Sequence, residues 1–255
     1  MSRARSDPAA PLDLRVRGLT VRYRHDPVLV DADLDAEPGS VTGVVGPNGG
    51  GKSTLLKAVM GLVAPDRGQV AVGGGPLDAV RRRVAYLPQR SAVDWDYPAQ
   101  VREVVAMGRY PHLRLLRRAT RRDHALVDAA LERTGLVDLA GEQVGELSGG
   151  QQQRVFVARA LAQEASLLLL DEPFAAVDGP TVRLLHRVLR ELAASGATVV
   201  VVDHDLSSVD VLCDRAVLVS GRVVAAGPPR AALTAAALAE AYGTASFLPA
   251  GVRGG

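Results

Sequence analysis

The chain has 255 residues, a formal net charge of +2, and 47% apolar against 23% charged side chains. That balance excludes the disordered and collagen-like classes and offers no basic field for nucleic acid. Its 26 glycines and 15 prolines make it turn-rich without low complexity, and one cysteine, Cys213, excludes an internal disulfide and a thiolate zinc site.

Residues 1–11 and 251–255 read as loose tails around a single domain over 12–250. The start has two early arginines and an aspartate with no apolar segment behind them, so it is not expected to be a signal peptide. Alternating apolar positions predict a strand over Leu14–Tyr23, and a short apolar run predicts a buried one over Ser40–Val45. Helical spacing marks Ser53–Leu62, followed by a strand at Val84–Leu87. From about 90 to 165 no strand candidate occurs. Helices are expected from Val101, over Ala125–Leu136 and over Gln151–Gln163, which together form a helical insertion. Alternation then returns. A buried strand is predicted at Leu167–Leu170, a helix stripe from Val182 to Leu192, and a β-branched strand at Thr198–Val202 suited to a parallel sheet. A hairpin follows around Gly221, then a closing helix over Arg230–Tyr242. The longest apolar runs are a few residues against the roughly 20 of a transmembrane helix, so any membrane role must pass through a partner.

Three segments carry chemistry. GPNGGGKS, Gly46–Ser53, fits G-x-x-x-x-G-K-[ST] between a predicted strand and a predicted helix, with a further hydroxyl at Thr54. Glycines let successive N–H groups converge on one anion, and the helix that starts there adds its positive end. Lys52 would reach the β- and γ-phosphates and Ser53 would ligate Mg²⁺. Only two of the 30 basic residues are lysines, Lys52 and Lys57. A compact ammonium fits a backbone nest that a planar guanidinium does not. LLLLDEP ends a buried strand on two carboxylates, Asp171 as a second Mg²⁺ holder and Glu172 placed to orient or deprotonate a water. LSGGQQQR puts Ser148, Gly149 and Gly150 at a second phosphate-ready helix start. One nucleotide seldom needs two, so the second is read as serving a nucleotide on another copy of the chain.

With LPQ and VVDHD added, these motifs resemble, in order and spacing, the ATP-binding-cassette ATPases, over roughly Leu14 to Gly243. The resemblance implies an α/β P-loop NTPase with a mostly parallel core sheet, an N-terminal antiparallel β part and a helical insertion. It implies ATP and Mg²⁺ as ligands, and two copies sandwiching two nucleotides head to tail. Carried over, Gly46, Asn48, Gly49, Gly51, Lys52, Ser53 and Thr54 bind ATP and Mg²⁺, and Gln89 touches the metal or the attacking water. Ser148, Gly149, Gly150 and Gln151 close over the partner's γ-phosphate, Asp178 links the two sites, His204 contacts the γ-phosphate, and Tyr23 stacks on adenine. Two residues depart from the family pattern. Gly50 stands where alanine or serine is common and is expected to loosen the cradle, and Asp203 stands where many relatives have threonine.

LPQRSAVDWDYP and VREVVAMGRY resemble the ATPases of manganese, zinc or iron importers, while GRYPHL is similar to ferric-siderophore importers, which makes a ferric-siderophore or haem importer the alternative. The acidic-aromatic VDWD segment favours the metal-ion group. That reading implies a homodimer, a separate integral membrane permease, an extracytoplasmic substrate-binding protein, no nucleic acid, and a place on the cytoplasmic face of the membrane. Trp95 and Tyr97 read equally as a permease docking surface or as local packing. The arginines at 81–83 and between 114 and 122 read equally as a lipid-facing patch or a solvated face. The scattered histidines, His25, His112, His124, His186 and His204, do not suggest a site for the transported metal. A soluble cassette protein acting on nucleic acid or ribosomes is the rival class, and one P-loop with near-neutral charge argues against it. A small-molecule kinase leaves LSGGQQQR without a role.

Overall fold

The computed structural model describes residues 11–24, 26–93, 95, 98–113 and 118–243. Nearly all of both expected tails, His25, Asp94, Asp96, Tyr97, Arg114 and Arg117 lie outside the described residues. Two sheets form. Strands β1 (Leu14–Tyr23), β2 (Asp26–Ala36), β3 (Val41–Val45) and β4 (Arg67–Val72) come first, with helix α1 (Lys52–Val59) between β3 and β4. β2, β1 and β4 make a three-stranded antiparallel sheet in that order. The second sheet has six strands in the order β5-β6-β7-β3-β8-β9. Its members are β3 with β5 (Val84–Leu87), β6 (Leu167–Asp171), β7 (Thr198–Val202), β8 (Arg215–Val219) and β9 (Val223–Gly227). All neighbours are parallel except β8 and β9, the expected hairpin.

Both faces of this sheet are covered, and the side-chain alternation shows it. In β7, Val199 and Val201 face one core while Val200 and Val202 face the other. In β6, Leu168 and Leu170 go one way, Leu167 and Leu169 the other. The first core lies under α5 (Gly179–Ala194), α6 (Leu206–Leu212) and the helical block. The second is roofed by α1 and the antiparallel sheet. Each fully buried Leu or Val contributes about 1.5–3 kcal/mol, so a continuous apolar strand is stable only when covered twice.

Between β5 and β6 lie α2 (Val101–Ala106), α3 (Arg121–Arg133) and α4 (Gly149–Ala162) with short 3₁₀ turns, and among the described residues an isolated Gln100–Gln143 bridge is the one strand-like contact. A buried ion cluster ties the block together. Arg109 reaches Asp123 (2.9 Å), the Ala162 carbonyl (2.7 Å) and Glu164 (3.1 Å). The Thr120 hydroxyl and amide, with Arg109, hold the Asp123 carboxyl well below the usual carboxylate range.

The expected closing helix over Arg230–Tyr242 is instead two helices, α7 (Pro229–Ala232) and α8 (Ala235–Tyr242). Thr234 between them starts α8 by accepting the Ala237 N–H on its hydroxyl. The helix expected from Gln151 starts at Gly149, because Ser148 caps it and both glycines already lie within it. Strands β2 and β4 and helix α6 carried too weak a pattern to be predicted. β2 mixes aspartates into its alternation, and one of them, Asp31, has a left-handed φ of 49° where the β1–β2 register shifts.

Candidate active site

The buried strand β3 delivers the chain into the Gly46 loop, and α1 begins at Lys52. The loop lies against the end of β8. A Cβ on Gly46, whose φ is 148°, would fall 1.8 Å from the Val219 carbonyl oxygen, so only glycine fits. Gly50 was expected to loosen the cradle, and the structure corrects this. A Cβ there would meet the Val219 oxygen at 2.9 Å and the Pro47 oxygen at 3.0 Å. Its absence lets the Gly50 carbonyl accept the Gly221 N–H at 2.9 Å, which pins the loop to the β8–β9 turn. Val30 N–H donates in turn to Gly221 O, 2.8 Å, joining β2 to the same turn.

Helix α1 has Gly51 at its N-cap, no side-chain cap and no acidic residue in its first turn. Its first N–H groups and the positive end of its dipole are therefore left for an anion. The open cleft there is about 280 Å³ and is lined by Val28, Asn48, the stretch from Gly49 to Thr54, Gln89 and Glu172. Val28 was not expected. Strand β2 brings it in, and sequence spacing gives no sign of that pairing.

The charged groups are already engaged. Lys52 Nζ donates to the Gly46 and Pro47 carbonyls, 2.8 Å each, and burial lowers its pKa despite nearby Glu172, Asp171 and Asp203. Ser53 donates to Asp171 Oδ1 at 3.0 Å, and Gln89 Nε2 donates to Glu172 Oε2 at 2.9 Å. Asp171 is 1% exposed, and burial pushes its carboxyl up in spite of the Ser53 hydroxyl. Lys52, with Lys57 also acting on Asp171, thus faces three carboxylates. A triphosphate would add further negative charge, which a cation would balance. Oxygen donors from Ser53 and Asp171, with room for phosphate oxygens and water, suit Mg²⁺. Glu172 itself has a φ of 52°, left-handed for a non-glycine, and its N–H is held by the Val202 carbonyl at 3.0 Å.

The other expected residues stand apart from this cleft. Tyr23 ends β1 at 44% exposure and does not line it. Ser148 and Gln151 bond reciprocally in a capping box, Ser148 N to Gln151 Oε1 at 2.8 Å and Gln151 N to Ser148 Oγ at 3.3 Å. Gly149 and Gly150 form the first turn of α4. A Cβ on Gly150 would sit 2.9 Å from Asp178 Oδ2, so the Ser148 turn and Asp178 adjoin within one chain. Asp178 caps α5, and the Thr181 backbone N–H and hydroxyl hold its carboxyl down. His204 follows β7 with its ring more than half exposed.

Arg90 links these groups. It follows Gln89, donates Nε and Nη2 to Gln152 Oε1 of α4 at 3.1 and 2.8 Å, and offers its carbonyl to Trp95 Nε1 at 2.9 Å. Trp95 packs edge-on against Phe156, 5.2 Å between centroids, and also lines an apolar groove of about 350 Å³ with Val93, Val104, Met107 and Phe156. Local packing and an open surface are therefore both true of Trp95. Cys213 is buried under Gly43 as a small apolar residue, with burial pushing its thiol up to about 12. Among the described residues no helix is long and apolar enough to cross a membrane.

A family model described as "ABC transporter" matches residues 29–175. The zinc transport system ATP-binding protein TroB of Treponema pallidum is 47% identical over 230 residues, covering 90% of this chain and 86% of that protein. The manganese transport system ATP-binding protein MntB of Bacillus subtilis is 44% identical over 225 residues, covering 88% and 90%. A solved structure described as the ATP-binding subunit of an ABC transporter superposes with a TM-score of 0.75 at 27% identity, covering 84% of this chain and 89% of that one.

Proposed function

Because the chain belongs to the ABC transporter family, we propose that it is the ATP-hydrolysing subunit of an importer for a transition metal ion, manganese, zinc or iron. The observation that carries this reading is the uncapped start of α1, which opens on the cleft beside the Ser53–Asp171 and Gln89–Glu172 pairs. Relatives named for zinc and manganese favour a metal ion over a ferric siderophore as cargo.

Asn48, Gly49, Gly51 and Thr54 line the phosphate chain together with the α1 amides. Lys52 turns from the Gly46 and Pro47 carbonyls to the β- and γ-oxygens. Ser53, Asp171 and Gln89 would hold Mg²⁺, which would supply positive charge against the phosphate oxygens. Glu172, released by Gln89, orients a water and takes its proton as oxygen attacks the γ-phosphorus and ADP departs. His204 contacts the γ-phosphate, and Tyr23 covers the adenine. Ser148, Gly149, Gly150 and Gln151 of a second copy cap the same phosphate, and Asp178 connects the two sites. The chain then works as a homodimer on the cytoplasmic face of the membrane, with residues 12–250 as one domain and about 90–165 as its inserted helical part. That part passes the motion to a membrane permease, which receives the metal from an extracytoplasmic binding protein. The groove beside Trp95 is the surface offered to the permease.

Uptake of radioactive manganese, zinc and iron by cells lacking this chain tests the proposal. The wild-type sequence is expected to restore uptake of one of them, and Glu172→Gln is expected to leave it at background. Uptake unchanged by loss of the chain, or restored equally by Glu172→Gln, overturns it.

A further inference from the structure

Asp203 sits at the end of β7, 3% exposed, with its N–H on the Val44 carbonyl at 3.1 Å just ahead of the Gly46 loop. Its Oδ1 accepts two backbone N–H groups, from His204 at 2.7 Å and from Asp205 at 3.0 Å. The His204 ring does not share this bond, since Nδ1 lies 3.8 Å from the same oxygen. Asp205 repeats the device one step on, accepting the Ser207 N–H at 2.9 Å and the Ser207 hydroxyl at the start of α6. The turn between β7 and α6 is therefore fixed by two successive carboxylates, and His204 is the exposed side chain between them. Oδ2 of Asp203 is buried and has no hydrogen-bond partner.

We propose that Asp203 is a positioning residue, whose Oδ1 fixes the backbone turn that presents His204 to the terminal phosphate. This rests on the reading of His204 as a phosphate contact. Both amides converge on one oxygen, so the role needs an acceptor there and not a negative charge. Burial, which raises the Asp203 carboxyl pKa, is compatible with a role that a neutral acyl oxygen fills equally well. A proton-relay role would use Oδ2, and that atom meets no donor or acceptor among the described residues.

Steady-state ATP hydrolysis and calorimetric ATP binding by the full chain test it. Asp203→Ala is expected to lower kcat roughly tenfold or more without weakening ATP binding by more than about twofold, since a misplaced contact acts on the reacting geometry. Asp203→Asn keeps the acceptor and is expected to recover kcat to within about threefold of wild type. In a His204→Ala background, Asp203→Ala is expected to slow hydrolysis no further, because residues acting as a unit are non-additive. If Asp203→Ala folds poorly, Asp203→Leu, which fills the space without an acceptor, carries the same expectation. An asparagine variant as slow as alanine, or an undiminished alanine effect in the His204→Ala background, overturns the proposal alone. Wild-type hydrolysis by His204→Ala overturns the underlying reading of His204, and the proposal with it.

Discussion

Glu172 holds its carboxylate in place at the cost of a left-handed backbone. A non-glycine residue there gives up roughly 1–2 kcal/mol, and the neighbouring Asp171 adds like-charge repulsion. Glu172→Gly is therefore expected to raise the unfolding free energy by about 1 kcal/mol while ATP hydrolysis falls to background, read by urea denaturation and a phosphate-release assay. An unchanged or lower midpoint would show that the strain is absorbed elsewhere. The motif residues of this cleft were legible one by one, because Gly46, Lys52, Ser53, Asp171 and Glu172 each have a chemistry that dictates their type. Val28 and Arg90 were not. Val28 reaches the cleft through strand pairing, and Arg90 gains its meaning from Gln152, far along the chain.

Among the elements, the helical block depends on the buried Arg109 cluster more than its modest helix lengths suggest. Removing one partner of a buried pair costs about 3–5 kcal/mol, because the other charge stays buried. Arg109→Ala is expected to destabilise the protein by that order in chemical denaturation. The pH dependence has a definite sign. Asp123 is depressed in the folded state, so its contribution is present above the ordinary carboxylate range and is lost as pH falls through the folded value. The stability gap between wild type and Asp123→Asn should therefore narrow as pH is lowered from 7 toward 2. A gap constant over that range would contradict the Thr120 and Arg109 bonds as its source. Strands at Leu14–Tyr23 and Thr198–Val202 fall where the sequence puts them, since strong alternation or an unbroken β-branched run leaves one solution. The weakly patterned β2, β4 and α6 draw their stability from neighbours: β2 and β4 flank β1, and α6 leans on β3 and its Asp205 cap.

At the scale of the whole molecule, the Gly46 loop and the Ser148 turn do not line a common cleft within one chain. On the proposed head-to-tail reading, that separation predicts a dimer that forms only around the nucleotide. Glu172→Gln with ATP is expected to sediment as a dimer, and as a monomer with ADP or after Lys52→Ala. A monomer with ATP at any protein concentration would remove the head-to-tail arrangement. The proposed dimer rests, in the sequence, on two glycine-rich helix starts alone, because a partner's surface leaves no periodicity in its own chain. The sheet order has one more outcome, for synthesis on the ribosome. Strand β3 emerges early, yet both of its neighbours, β7 and β8, emerge late, and the Gly221 amide that holds Gly50 later still. Closing such distant pairs is slow. A nascent polypeptide that stops short of this hairpin has its lysine and glycines without the turn that pins them, and abortive translation products are expected to hold nucleotide weakly.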